Sequence, residues 1–193
     1  MSVAEYIAAF ISIMIGLALA DLATSLQRLL RAGKRVKWDV LTPAAAILVT
    51  AFVVNVWWAT FGTLNAMSSI TVGGFIPDLI ALLLLFCLAS SALPDEVPET
   101  IDLGDYYGEN RRPFWSLFAL YTVWVTIVAG VRASAAGLSP TAMIGSVVPN
   151  LLLASLMTVL IWTPRKWVHV LIIVLLLAII GSAWLPQELQ GRS

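Results

Sequence analysis

Runs of apolar residues alternate with short polar connectors along the whole chain, and each run is long enough to cross a lipid bilayer. A spanning helix needs about 20 mostly apolar residues, because each residue rises about 1.5 Å. Six such spans are predicted, over residues 4–27, 43–64, 76–93, 113–132, 140–162 and 168–186. The longest polar stretch, Pro94 to Arg112, is too short for an independent soluble domain. The pattern predicts an all-α polytopic protein with a single transmembrane domain over residues 1–193. A finer pattern marks the first span, where Ala8, Ser12, Gly16, Ala20 and Thr24 recur every four residues on one helix face. Small side chains let backbones approach closely, so this stripe is expected to be a helix-packing seam.

The pattern also hints at duplication. Spans two and five open alike, Leu41-Thr42-Pro43 against Leu138-Ser139-Pro140. Residues 79–96 align without a gap on residues 171–188, with nine of the eighteen positions identical. Three spans per half would place the halves upside down relative to one another, the 3+3 inverted repeat common in secondary transporters. Chance matching of leucine-rich spans explains much of this equally well.

Composition sharpens the membrane reading. The chain is 60% hydrophobic and 11% charged, with mean hydropathy +0.94, which excludes a soluble globule. Its charges are sorted. Arg28, Arg31, Lys34, Arg35, Lys37, Arg111, Arg112, Arg165 and Lys166 lie in three alternate connections and make up nine of the eleven Lys and Arg residues. The positive-inside bias then puts those connections in the cytoplasm and both termini outside. Nothing suggests nucleic-acid binding, and the lipid bilayer is the partner the sequence implies. The segment Met1 to Tyr6 lacks the basic start of a signal peptide, so the first span is expected to be retained.

Ionisable or amide groups at membrane depth are costly, which makes each a candidate. Asp21 shares a helix face with Thr24, Ser25 and Arg28 and is read as a carboxylate facing a polar space or paired near the interface. Asn55 and Asn150 are intramembrane amides, and Pro149 removes a backbone hydrogen bond beside the second. Asp21, Asn55 and Asn150 are expected to border one polar cavity, opened by a break at Pro149. Asp78, Arg132 and His169 are weaker candidates with ordinary interfacial readings. The lone Cys87 is expected to be a buried hydrophobe, and no His or Cys spacing suits a metal. No cofactor is implied. The 94–112 connector carries acids, tyrosines and arginines without a nucleophile-and-base arrangement, so it is read as a solvated connector rather than a catalytic site.

Gly16-Leu17-Ala18-Leu19 with Asp21, the Trp57-Trp58 pair, and Tyr106-Tyr107-x-x-Asn110-Arg111-Arg112 together resemble a group of small bacterial multi-pass inner-membrane proteins. The resemblance covers roughly residues 5–118. It implies the bacterial inner membrane and carries no assigned activity. Two functional classes follow. One is a small transporter or channel-like protein for a small solute or ion. The other is an accessory or scaffold subunit, meeting a copy of itself or a partner membrane subunit. A membrane enzyme lacks a constellation to support it.

Overall fold

The computed structural model describes residues 3–64 and 71–184. Six long helices run through them: α1 Val3–Ala32, α2 Leu41–Leu64, α3 Val72–Ser90, α4 Leu103–Ala135, α5 Pro140–Trp162 and α6 Lys166–Trp184. All six are long and apolar enough to span a membrane, so the all-α, multi-pass architecture expected from the hydropathy pattern is the one adopted. The last two positions of the sixth expected span, Arg192, and the Leu185-Pro186-Gln187-Glu188 end of the aligned segment lie outside the described residues.

Caps and breakers written in the sequence set the boundaries. Helix α1 stops at Gly33, whose φ of +56° is strained for any side-chain-bearing residue, and the chain turns through a short 3-10 segment. Ser139 caps α5 by accepting from the Ala142 N–H at 3.4 Å, with Pro140 in the first turn. Thr71 caps α3 in the same way through Gly74 at 3.1 Å. Asp102 caps α4, accepting from the backbone N–H groups of Gly104 at 2.8 Å and Asp105 at 3.4 Å.

Helices α2 and α4 touch and form a central partition. On one side α1 packs on α2 and α3; on the other α5 lies along α4 while α6 lies along α2. The connections α1–α2, α3–α4 and α5–α6 gather at one end, here termed the basic end. A two-residue parallel pairing there joins β1 (Val36–Lys37) to β2 (Ile101–Asp102). Lys37 Nζ lies 2.7 Å from Asp102, and Lys166 Nζ lies 3.2 Å from Asp39. The Thr42 hydroxyl donates to the Leu103 carbonyl at 2.7 Å. Gly104 sits among these charges; a Cβ on it would stand 3.1 Å from Asp102 Oδ1 and 3.3 Å from both Asp39 Oδ2 and Lys166 Nζ. The half of the bundle next to the basic end is tightly packed, with Leu48, Val49, Leu88, Trp115, Leu160 and Ile173 fully buried.

Several expectations are corrected. The face of α1 that packs is Ile7, Ile11, Ile15, Ala18, Leu22 and Leu29, spaced by three, four or seven residues and so on one side of the helix. Ala8 is partly buried, while Ser12, Gly16, Ala20 and Thr24 point outward, and a Cβ on Gly16 would meet nothing within 4 Å. Large apolar side chains win the inward face because they fill space between helices. The expected seam is therefore an outward stripe of this chain. Residues 103–112, expected as connector, are the first turns of α4, whose 33 residues run unbroken through Pro113. Helix α5 is likewise continuous through Pro149, so no break opens there. Cys87 is exposed on α3 rather than buried. The two halves also pack differently: α1 lies chiefly against α3, whereas the main partner of α4 is α5, so the helix pairing does not reproduce the inverted repeat.

Candidate functional site: a two-lobed cavity beside the central partition

In the half of the bundle away from the basic end, packing gives way to two lobes. The first, about 300 Å³, lies among α1, α2, α3 and α4. The second, about 370 Å³, lies among α2, α4, α5 and α6. Five residues line both: Asn55, Val56 and Ala59 from α2, and Tyr121 and Val125 from α4. The two helices of the partition thus present one shared wall to both spaces. Most of the remaining lining is apolar, with Ile11, Phe75 and Leu82 in the first lobe and Phe52, Phe118 and Leu176 in the second.

The formal charges at this cavity neutralise each other. Arg132 Nη1 and Nη2 donate to the two oxygens of Asp78 at 2.9 and 2.7 Å, and Nη2 also reaches the Gly74 carbonyl at 3.1 Å. This fork-to-fork geometry is the strong form of an ion pair and clamps α3 to α4. Two of the three weaker sequence candidates, Asp78 and Arg132, are brought together here.

Neutral polar groups are mostly occupied by their own helices. Thr60 donates to the Val56 carbonyl at 2.8 Å, and Thr122 to the Phe118 carbonyl at 2.9 Å. Trp124, set deep within its span, donates to the Pro77 carbonyl at 2.9 Å. Asn55 Oδ1 accepts from Trp184 Nε1 at 3.3 Å, tying α2 to α6. The Asn55 amide nitrogen and the Tyr121 hydroxyl make no hydrogen bond with another described residue. Both groups line both lobes. Asn150 lines the second lobe with Asn55.

Asp21 does not join them. Its Oδ2 accepts from the Ser90 hydroxyl at 2.6 Å, between α1 and the end of α3. Helix α1 packs chiefly on α3 and α2, and Asp21 lines neither lobe. The three-residue cavity expected from sequence is a two-residue one.

His169 is no interfacial histidine. It is buried at the basic end, where Nδ1 lies 2.8 Å from the Tyr107 hydroxyl and Nε2 lies 2.8 Å from the Thr163 carbonyl. Trp115 Nε1 stands 3.0 Å from the same Tyr107 hydroxyl. Indole N–H is a donor only and a carbonyl an acceptor only. The chain of protons is therefore fixed: Trp115 donates to Tyr107, Tyr107 donates to His169 Nδ1, and His169 Nε2–H donates to Thr163. Neighbouring Tyr106 donates to the Ser91 carbonyl at 3.3 Å, and Asn110 Nδ2 donates to the same oxygen. The tyrosine pair thus divides its work, one hydroxyl tying α4 to α6 and the other tying α4 to the end of α3.

No family profile, curated protein or solved structure matches this chain.

Proposed function

We propose that this protein is a small transporter of the bacterial inner (cytoplasmic) membrane, with the basic end cytoplasmic and both termini outside. Its cargo is an uncharged, largely apolar small solute. The observation that carries this reading is the pairing of an occupied-size cavity in one half of the bundle with a solidly packed other half. Cavities of a few hundred Å³ with mainly apolar walls and a few convergent polar groups are the usual form of small-molecule sites. The close packing of the described residues next to the basic end favours alternating access over an open channel.

Charge favours an uncharged cargo over an ion. Burying an unpaired charge costs several kcal/mol, and the cavity has no spare opposite charge, because Arg132 is held by Asp78. What remains is hydrogen-bonding capacity at Asn55 and Tyr121, suited to a hydroxyl or carbonyl on an apolar body. Asp21 lines neither lobe and has no part in this reading.

The test is directional thiol labelling in a Cys87→Ser background. Ala59→Cys and Val125→Cys should react with a membrane-impermeant maleimide added outside, while Leu88→Cys at the packed end stays protected. Labelling of Ala59→Cys from the cytoplasmic side alone would refute both the orientation and the outward cavity. In proteoliposomes, saturable entry of an uncharged solute that Asn55→Leu abolishes is the expected result.

The alternative, an accessory subunit, is favoured by one observation: the outward stripe Ser12, Gly16, Ala20 and Thr24 offers a partner helix close approach.

A further inference from the structure

A separate open groove of about 610 Å³ lies at the basic end, between the close of α1 and the segment after α3. Arg28, Arg31 and Arg35 form one wall, with Asp95, Glu96 and Val97 on the other. Two of these groups are already held. Arg28 Nη1 donates to the Asp95 carbonyl at 2.6 Å, and the Asp95 carboxylate accepts from the Ser25 hydroxyl at 3.3 Å. Among the described residues, Arg31, Arg35 and Glu96 make no ion pair. The groove thus pairs two available guanidinium forks with one available carboxylate. On the same face of α1 as these arginines, about three and four turns toward the membrane interior, Leu17 and Ile13 are exposed apolar side chains.

We propose that this groove binds the headgroup of a phospholipid bearing a primary amine, of the phosphatidylethanolamine type. The phosphodiester meets Arg31 and Arg35, which suit a bidentate phosphate contact. The ammonium meets Glu96. The acyl chains lie along Leu17 and Ile13 on that face, which is why a lipid rather than a soluble phosphate is the occupant. A purely anionic headgroup satisfies the arginines but sets its own acidity against Glu96. A choline headgroup carries positive charge without an N–H to donate.

The experiment uses the full chain in detergent, with lipids compared by adduct retention in native mass spectrometry and by shift of the thermal unfolding midpoint. Phosphatidylethanolamine should be retained several-fold better than phosphatidylcholine. Replacing Arg31 and Arg35 together with alanine should lower retention by about ten-fold, the loss of two charge-assisted contacts. Glu96→Gln should weaken phosphatidylethanolamine and leave phosphatidylglycerol unchanged or tighter. The proposal is overturned if phosphatidylglycerol binds best and Glu96→Gln improves every lipid, since plain charge attraction then accounts for the site. Equal retention of the ethanolamine and choline lipids overturns it too, as does equal stabilisation by soluble phosphoethanolamine. Arg31→Lys with Arg35→Lys keeps the charge and removes the forks, so a folded double variant of intermediate affinity separates lost contacts from misfolding.

Discussion

Removing the Tyr107 hydroxyl tests the proton chain at the basic end more sharply than any other single change. In Tyr107→Phe the ring still fills its buried site, so no cavity opens. Two groups lose their partner at once: the Trp115 indole N–H at 3.0 Å and the His169 Nδ1 at 2.8 Å. Both rings are almost fully buried. A buried polar group left unsatisfied costs about 1–3 kcal/mol, so two give about 2–4 kcal/mol once some relaxation is allowed. Tyr106→Phe is the internal control, because the Ser91 carbonyl keeps the Asn110 amide as a donor; the expected cost there is about 0.5 kcal/mol or less. Equilibrium unfolding of the purified protein in mixed micelles measures both. Nitrogen NMR on labelled histidine reads the tautomer directly, and wild-type His169 should carry its proton on Nε2. A loss below about 0.5 kcal/mol for Tyr107→Phe, or the same loss for both tyrosines, refutes the assignment of the chain.

Breaking the clamp at the cavity by Asp78→Asn should cost about 1 kcal/mol after allowance for the partial exposure of both side chains, and Asp78→Asn with Arg132→Met should recover part of it in the same assay. Gly16→Leu should leave the stability of the isolated chain unchanged, since a Cβ there meets nothing within 4 Å and the position is exposed; a shift in oligomeric state by light scattering would show that the outward stripe is covered by a second chain. The Asp102 carboxyl is held below its ordinary value of 3.8, first by Lys37 and then by the Gly104 N–H. Its contribution is present above the unfolded value and lost as pH falls through the lower folded one. Wild-type stability should therefore decline on acidification below about pH 4, and Asp102→Asn, which keeps a capping side chain, should decline less in an unfolding series against pH.

The spans were legible because bilayer thickness imposes a length, and caps such as Ser139-Pro140 mark their ends. The early start of α4 was also written in the sequence. Leu103, Tyr107, Phe114 and Phe118 recur at helical spacing and are all buried, but Gly104, Gly108 and the charges between them gave the stretch the composition of a connector. Which faces meet was far less legible. A helix in lipid is apolar all round, so polarity does not separate the packed side from the lipid side, and the small-residue stripe of α1 competed with an isoleucine-rich one. Asn55 and Asn150 meet because α2 forms half of the partition while α5 lies along its other half, α4. Asp21 was misjudged because burial cost says that a carboxylate needs a partner without saying which, and one serine hydroxyl sufficed. The role of Tyr121 had no sequence signal, since an aromatic residue within a span is ordinary core.

Helix α4 is one rod with a different job at each end. Tyr107 and Arg132 are 25 residues apart along it, about 38 Å at the usual rise. A rigid-body tilt of about 5° would carry one tip some 3 Å relative to the other, the whole length of a hydrogen bond. Pro113, lacking an N–H to give the turn before it, is the one joint in this lever, and it falls between the two ends. Rearrangement of the cavity wall is therefore felt at the opposite surface unless that joint absorbs it.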